Sequence, residues 1–308
     1  MNVLFIFLDG VGIGPPTLNN PLAAHTWPAL ERLASDQSWT APLRSVHTKQ
    51  HVVKPIDATL GVEGLPQSGT GQATLFTGVN CAERVGRHFG PFPHSATHDV
   101  LRKLNIFQRM ESEVDPIDNQ SSASTFANAY PERFFEWVNG RGRWTVTTFS
   151  AIETGLDLRG TNELQTGDAV AANISGSGWP DPTANIAPIT ATQAADNLVR
   201  LHRKHRLTLF EYYLTDKAGH GRLDESAESI LANVNDFLWR VLDRLDPAKE
   251  CLVITSDHGN IEDLSQKQHT RYPVPFIALG RGAHAFENVQ SLTDVTPAIL
   301  RLFATETA

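Results

Sequence analysis

An α/β fold built on a doubly wound, largely parallel sheet is predicted by three observations. The apolar run at residues 2–8 shows no polar alternation, as expected of a strand buried on both faces, and further strands are read at 206–214 and 251–255. Amphipathic stretches at 191–202 and 226–245 alternate with them at helical spacing. Each of the three runs also breaks at or just before an aspartate, Asp9, Asp216 or Asp257.

Taken in order, residues 2–8 form the first strand, and Gly10, Gly12, Gly14, Pro15 and Pro16 force a loop at its end. Residues 27–33 suit a short amphipathic helix. A small-residue helix containing Thr74–Gly78 follows the glycine-rich loop 64–71. Between residues 82 and 189 the chain is richer in Gly, Asn, Ser and Pro and loses the strand–helix rhythm. This stretch is expected to be an inserted cap, with Trp137, Trp144 and Trp179 in its core, and residues 1–81 and 190–308 forming the catalytic core. A short strand at 275–279 and a terminal helix with Asp294 as its N-cap complete the core.

Composition narrows the function. The 308 residues suffice for one large domain or two unequal ones, and 41% are hydrophobic, a globular value. With 34 acidic against 26 basic residues the net charge is −8, which disfavours nucleic-acid binding. The first apolar run is too short to span a bilayer and has neither the basic flank nor the cleavage site of a signal peptide. Two cysteines, Cys81 and Cys251, make no disulfide framework. A cytoplasmic protein with no membrane or nucleic-acid partner is expected.

In an open parallel sheet the carboxyl ends of the strands gather at one edge, where ligands bind. Asp9, Asp216 and Asp257 would meet there, close to His220, His258 and His269. Three carboxylates and three imidazoles on one edge suit two divalent cations. A Ser or Thr entering the helix after loop 64–71 would meet free backbone N–H groups and a positive dipole end. Ser68 and Thr70 are both candidates for a nucleophile, and both residue types are also ordinary helix caps.

Four segments carry a resemblance. Asp9-Gly-Val-Gly-Ile-Gly14, Asp216-Lys-Ala-Gly-His220, Thr255-Ser-Asp-His-Gly-Asn260 and His269-Thr-Arg-Tyr-Pro-Val-Pro-Phe276 occur in that order. Together they resemble the metal-binding signatures of the alkaline phosphatase superfamily, nearest to the branch of cofactor-independent phosphoglycerate mutase and phosphopentomutase. The resemblance covers the expected core, about two thirds of the chain. It implies one metal on Asp216, His220 and His269, and a second on Asp9, Asp257, His258 and the nucleophile oxygen. It places the nucleophile three residues before Gly71, at Ser68, with Thr70 the alternative register. Mixed His/Asp ligation without thiolates suits manganese or zinc. Gln72 stands where the mutases commonly carry His, and the insert is shorter than that of phosphoglycerate mutase.

The resemblance implies phosphoryl transfer on a small phosphorylated metabolite through a phosphoserine intermediate. Phosphomonoester hydrolysis is the leading expectation. Intramolecular phosphomutase activity, phosphodiester or sulfate-ester hydrolysis, and a non-catalytic binding role are the alternatives. Arg84, Arg87 and His88, leaving the nucleophile helix, and Lys217, inside a metal motif, are the candidate substrate-binding residues. Nothing in the sequence points to an oligomeric state.

Overall fold

A computed structural model describes residues 1–118, 122–181 and 186–304. Its strands are β1 (Asn2–Leu8), β2 (Val46–His47), β3 (His51–Ile56), β4 (Ser124–Phe126), β5 (Asn128–Ala129), β6 (Val170–Ala171), β7 (Leu207–Tyr212), β8 (Glu250–Thr255) and β9 (Val274–Gly280). Seven of them form one sheet in the order β2-β3-β9-β8-β1-β7-β4. β1, β7, β8 and β4 are mutually parallel, β9 is antiparallel to β8, and β3 is antiparallel to β9. β3 therefore runs with β1, and only β2 and β9 oppose the common direction.

β1 lies between β7 and β8, with Phe5 opposite Leu209 on one side and Val253 on the other. Successive side chains of a strand point to opposite faces. Val3, Phe5 and Phe7 thus pack with Phe76, Ile299 and Leu292, while Leu4, Ile6 and Leu8 pack with Leu198, Val234 and Leu238. Both faces are covered, which is why no alternation marks the sequence. The helices Ala191–His202 and Ala227–Arg244 lie on the second face, and Ser68–Thr77 and Leu292–Ala304 on the first.

The helix starts follow side-chain chemistry. Thr190 Oγ1 accepts from Gln193 N at 3.1 Å while Gln193 Oε1 accepts from Thr190 N at 2.9 Å, a reciprocal cap. Ser226 Oγ accepts from Ser229 N in the same role. The last helix differs from expectation. It begins at Leu292, so Asp294 lies inside its first turn, where Asp294 Oδ2 accepts from the backbone N–H of Gln290 and Ser291. There the carboxylate still favours the positive helix end.

Part of the stretch 82–189 packs with the main sheet. β4 joins the main sheet beside β7, and Leu101, Ile106, Phe107, Met110 and Phe149 belong to the same core cluster as Phe5 and Phe76. A separate small cluster forms only around β5, β6 and Leu164, with Trp179 and Ile186 packed against it. Three residues of Ser-Thr-Phe at a sheet edge give too little apolar pattern to be read as a strand. Among the described residues no helix is long and apolar enough to cross a membrane.

Candidate metal centre and cleft

The common direction of the strands brings their carboxyl ends to one edge. Asp9 directly follows β1, Asp257 lies two residues past β8, and Asp216 sits in the helix Leu214–Gly219 after β7. His269 precedes β9, whose reversed direction returns it to the same edge. Ser68 is the first residue of the helix Ser68–Thr77.

Two ligand groups result. Asp216, His220 and His269 offer atoms within 4.8 Å of one another, and so do Asp9, Asp216 and His258. His220 Nε2 lies 3.4 Å from Asp216 Oδ2, and His269 Nε2 lies 3.4 Å from Asp216 Oδ1. His258 Nε2 is 3.5 Å from Asp9 Oδ1, 3.4 Å from Asp257 Oδ2 and 3.0 Å from Ser68 Oγ. The three imidazoles also touch, with the rings of His258 and His269 stacked at 3.7 Å.

The donor set fits cations. His220 Nδ1 is 2.8 Å from the Lys267 carbonyl, and His269 Nδ1 is 2.7 Å from the Pro66 carbonyl. A carbonyl only accepts, so each Nδ1 carries its proton and each Nε2 presents a lone pair. Those two Nε2 atoms are 3.1 Å apart and both face Asp216. Such a convergence of lone pairs requires a cation or an added proton between them. Both oxygens of Asp257 and Oδ1 of Asp9 are buried with no hydrogen-bond partner among the described residues. Buried carboxylates left unpaired are costly unless a positive charge meets them.

Protons substitute for that charge in the metal-free protein. Burial, reinforced by repulsion from Asp257 and Asp216, pushes Asp9 well above the carboxylate range. Burial and the Asp216 charge raise Asp257 to about 7. Burial also works to raise Asp216, but hydrogen bonds from His220 and His269, made when Nε2 carries the added proton, outweigh it and hold that carboxyl below its usual range. The hydrogen bond to Asp216 raises His220 in turn. Burial, then His269, drives His258 well below its usual value.

Metal uptake must release such protons. Because the folded pKa of Asp257 is raised, the metal-free folded state holds a proton that the unfolded chain loses near 3.8. Stability of the metal-free protein from this group should therefore fall as pH rises from that value to about 7. Metal affinity should move the opposite way, climbing about tenfold per pH unit for each proton displaced. Calorimetric titration with manganese at several pH values below 7 checks this, and a pH-independent affinity would contradict it.

A second layer holds the ligand loops. Thr215 Oγ1 donates to the Asp9 carbonyl at 2.5 Å, and Asn260 Nδ2 donates to Asp216 Oδ1 at 2.7 Å. Gly10 has φ +70°, and a Cβ there would lie 2.8 Å from Asp216 Cα, so glycine permits the two ligand loops to meet. Glu262, which gave no signal in the sequence, is nearly fully buried. Its carboxylate accepts from Gly12 N and Asn260 N, each at 2.8 Å, and from Thr270 Oγ1. It thereby ties the loops after β1 and β8 to the one before β9. Glu262→Ala would orphan three buried donors and should cost about 3 kcal/mol or more. Thermal melting checks this, and an unchanged midpoint would contradict it.

The remaining candidates divide. Thr70 is fully buried with its Oγ1 directed at Gln67 O and Phe89 O and accepting from Phe89 N, away from the ligand cluster. Gln72 Nε2 donates to Asp9 Oδ2 at 3.3 Å, so it orients a ligand. A cleft of about 820 Å³ opens from Asp9 and Ser68, and Lys217 lines it. Arg84, Arg87 and His88 are not among its described lining residues. Arg84 instead pairs with Asp99 at 2.8 Å, Arg87 lies over the Phe89 ring, and His88 Nε2 faces the Val62 carbonyl. The cations the sequence reading missed are Arg133 and Arg222, both on the cleft wall. Also missed was Glu211, a strand residue within β7 that lines the cleft and is pushed up to about 7 by burial. Trp137 and Trp179, expected in the core of an insert, line the cleft too.

The edge of the sheet thus carries a cluster of carboxylates and imidazoles that could hold metal ions. Residues 182–307 match the family model described as "Metalloenzyme superfamily". A span of 130 residues, 39% of this chain, is 29% identical to a 2,3-bisphosphoglycerate-independent phosphoglycerate mutase of Pseudomonas fluorescens. The match covers only 25% of that protein's length. Among solved structures, the chain is similar to the PH0037 protein of Pyrococcus horikoshii, with TM-score 0.56, 15% identity, and 98% and 96% of the two chains covered. It is likewise similar to the alkaline phosphatase of the Antarctic bacterium TAB5, with TM-score 0.52, 11% identity and 98% of both chains covered. These structural likenesses establish the fold.

Proposed function

We propose that this protein is a cytoplasmic two-metal phosphoryl-transfer enzyme that acts on a small phosphorylated metabolite through a phosphoserine at Ser68. The observation that carries the reading is the position of Ser68 Oγ, 3.0 Å from His258 Nε2, at a helix N-terminus and at the floor of the cleft. Asp216, His220 and His269 would hold one manganese or zinc ion, and Asp9, Asp257, His258 and Ser68 the other. When bound, such ions supply Lewis-acid stabilisation of phosphoryl oxygens and lower the pKa of a coordinated hydroxyl.

The residues of the chain contribute the rest. Ser68 Oγ forms the bond to phosphorus as the bond to the leaving oxygen breaks. The positive end of the helix dipole at Ser68 would favour the negative charge of the phosphoryl group. Gln72 and Asn260 hold Asp9 and Asp216 in orientation. Lys217, Arg133 and Arg222 surround the entering anion with positive charge.

Hydrolysis of a phosphomonoester is the favoured outcome, with water discharging the phosphoserine. A mutase would have to hold its dephosphorylated intermediate and exclude water meanwhile, and no mutase clamp motif is present in the sequence. The mutase reading remains the alternative because a mutase supplies the sequence match. A screen of phosphorylated metabolites with added manganese or zinc, scoring both free phosphate and isomerised product, separates the two. Release of phosphate is expected. Quantitative isomerisation without phosphate release would establish the mutase.

A further inference from the structure

Beyond its metal-ligand end, the wall of the cleft carries six aromatic side chains: Phe92, Tyr130, Phe134, Trp137, Trp179 and Tyr213. They come from four separate places, namely the segment after the helix Cys81–Val85, the approach to and body of the helix Glu132–Arg141, the loop after β6, and the residue that follows β7. Several are fixed in orientation. Tyr130 and Phe134 stack at 4.2 Å, and Trp179 Nε1 donates to Thr161 Oγ1 at 3.1 Å. The Lys217 ammonium sits 4.5 Å from the centre of the Tyr213 ring. Trp137 is 41% exposed.

We propose that this wall is a leaving-group subsite for a flat aromatic ring, so that the substrate is of the nucleotide class. The inference rests on the phosphoryl-transfer reading above and names the substrate that reading leaves open. A three-carbon phosphate has no flat face to lay against aromatic rings. A nucleobase presents two π-faces that stack on aromatic rings whatever its edge pattern. A cleft of about 820 Å³ lies within the range that encloses ligands of drug size, well beyond the needs of a triose phosphate. Arg133, Lys217 and Arg222 on the same wall match the remaining negative charge of a nucleotide.

The step balances simply. The Ser68 Oγ–phosphorus bond forms as the bond from phosphorus to the nucleoside oxygen breaks, and that oxygen leaves as an alcohol carrying the proton Ser68 gave up. Water then cleaves the phosphoserine, restoring the hydroxyl and releasing phosphate.

Calorimetric titration of manganese-loaded Ser68→Ala protein reads ligand binding without turnover. The probes are adenosine 5′-monophosphate, ribose 5-phosphate and 3-phosphoglycerate. The nucleotide is expected to bind at least about tenfold more tightly than either ring-free phosphate. Adding Trp179→Ala or Trp137→Ala should cost about tenfold for the nucleotide and leave ribose 5-phosphate unchanged. The Trp137 variant, altered at a more exposed position, keeps the test available if loss of Trp179 prevents folding. Equal affinities for all three probes, or equal losses for all three in the variants, would overturn the subsite while leaving phosphoryl transfer intact. Failure of every phosphate to bind the metal-loaded protein would overturn both.

Discussion

Ser68→Ala protein is expected to fold, to bind its metals with most of the wild-type affinity, and to lose turnover by at least about a thousandfold, since no other group can form the covalent intermediate. The expectation follows from where the hydroxyl lies. Among the described hydrogen bonds Ser68 Oγ is the only hydroxyl that meets a side chain of the ligand cluster, at 3.0 Å from His258 Nε2. It opens the helix Ser68–Thr77, whose positive dipole end favours negative charge beside it. Thr70→Ala is the control. Thr70 Oγ1 is turned into the segment around Phe89, so its loss should cost about 1 kcal/mol of stability and little activity. Steady-state rates of the two variants decide the register. An active Ser68→Ala beside a dead Thr70→Ala would show that the assignment is wrong by two residues.

The second large effect is expected at Asp216. It is the one residue shared by both ligand groups, and it receives hydrogen bonds from Asn260 while facing both His220 and His269. Asp216→Asn removes its charge with little change of shape. His220 then loses the partner that raises its pKa, and the positive ion loses its carboxylate. Metal content should fall from two equivalents to one or fewer, with turnover down at least about a thousandfold. The Ser68 and Asp216 variants thus differ in kind, one inactive with metals retained and the other inactive because they are lost. Metal content and rate measured on the same samples check this. Full metal content in Asp216→Asn would remove Asp216 from the ligand set.

Much of the centre was legible because chemistry and chain pattern coincide there. Asp9, Asp216 and Asp257 each terminate an apolar run, and buried parallel strands deliver their ends to one edge. The sequence carries no comparable signal for the cleft wall. Arg84, Arg87 and His88 are polar residues in a loop-rich segment, where composition gives no direction, and they turn to Asp99, Phe89 and Val62 instead. Arg133 and Arg222 reach the cleft through tertiary placement that no local spacing encodes. β4 was hidden by its length, and it places part of the stretch 82–189 beside β7. Glu262 looked like one more loop acid. Its importance lies in three donors from Gly12, Asn260 and Thr270, which meet only in the folded chain.

Anomalous diffraction from crystals of the manganese-loaded protein tests the central claim most directly. Two peaks per chain are predicted, one enclosed by Asp216, His220 and His269 and the other by Asp9, Asp257, His258 and Ser68. No peak at this edge of the sheet, in crystals of the folded protein grown with manganese in excess, would contradict the two-metal phosphoryl-transfer account.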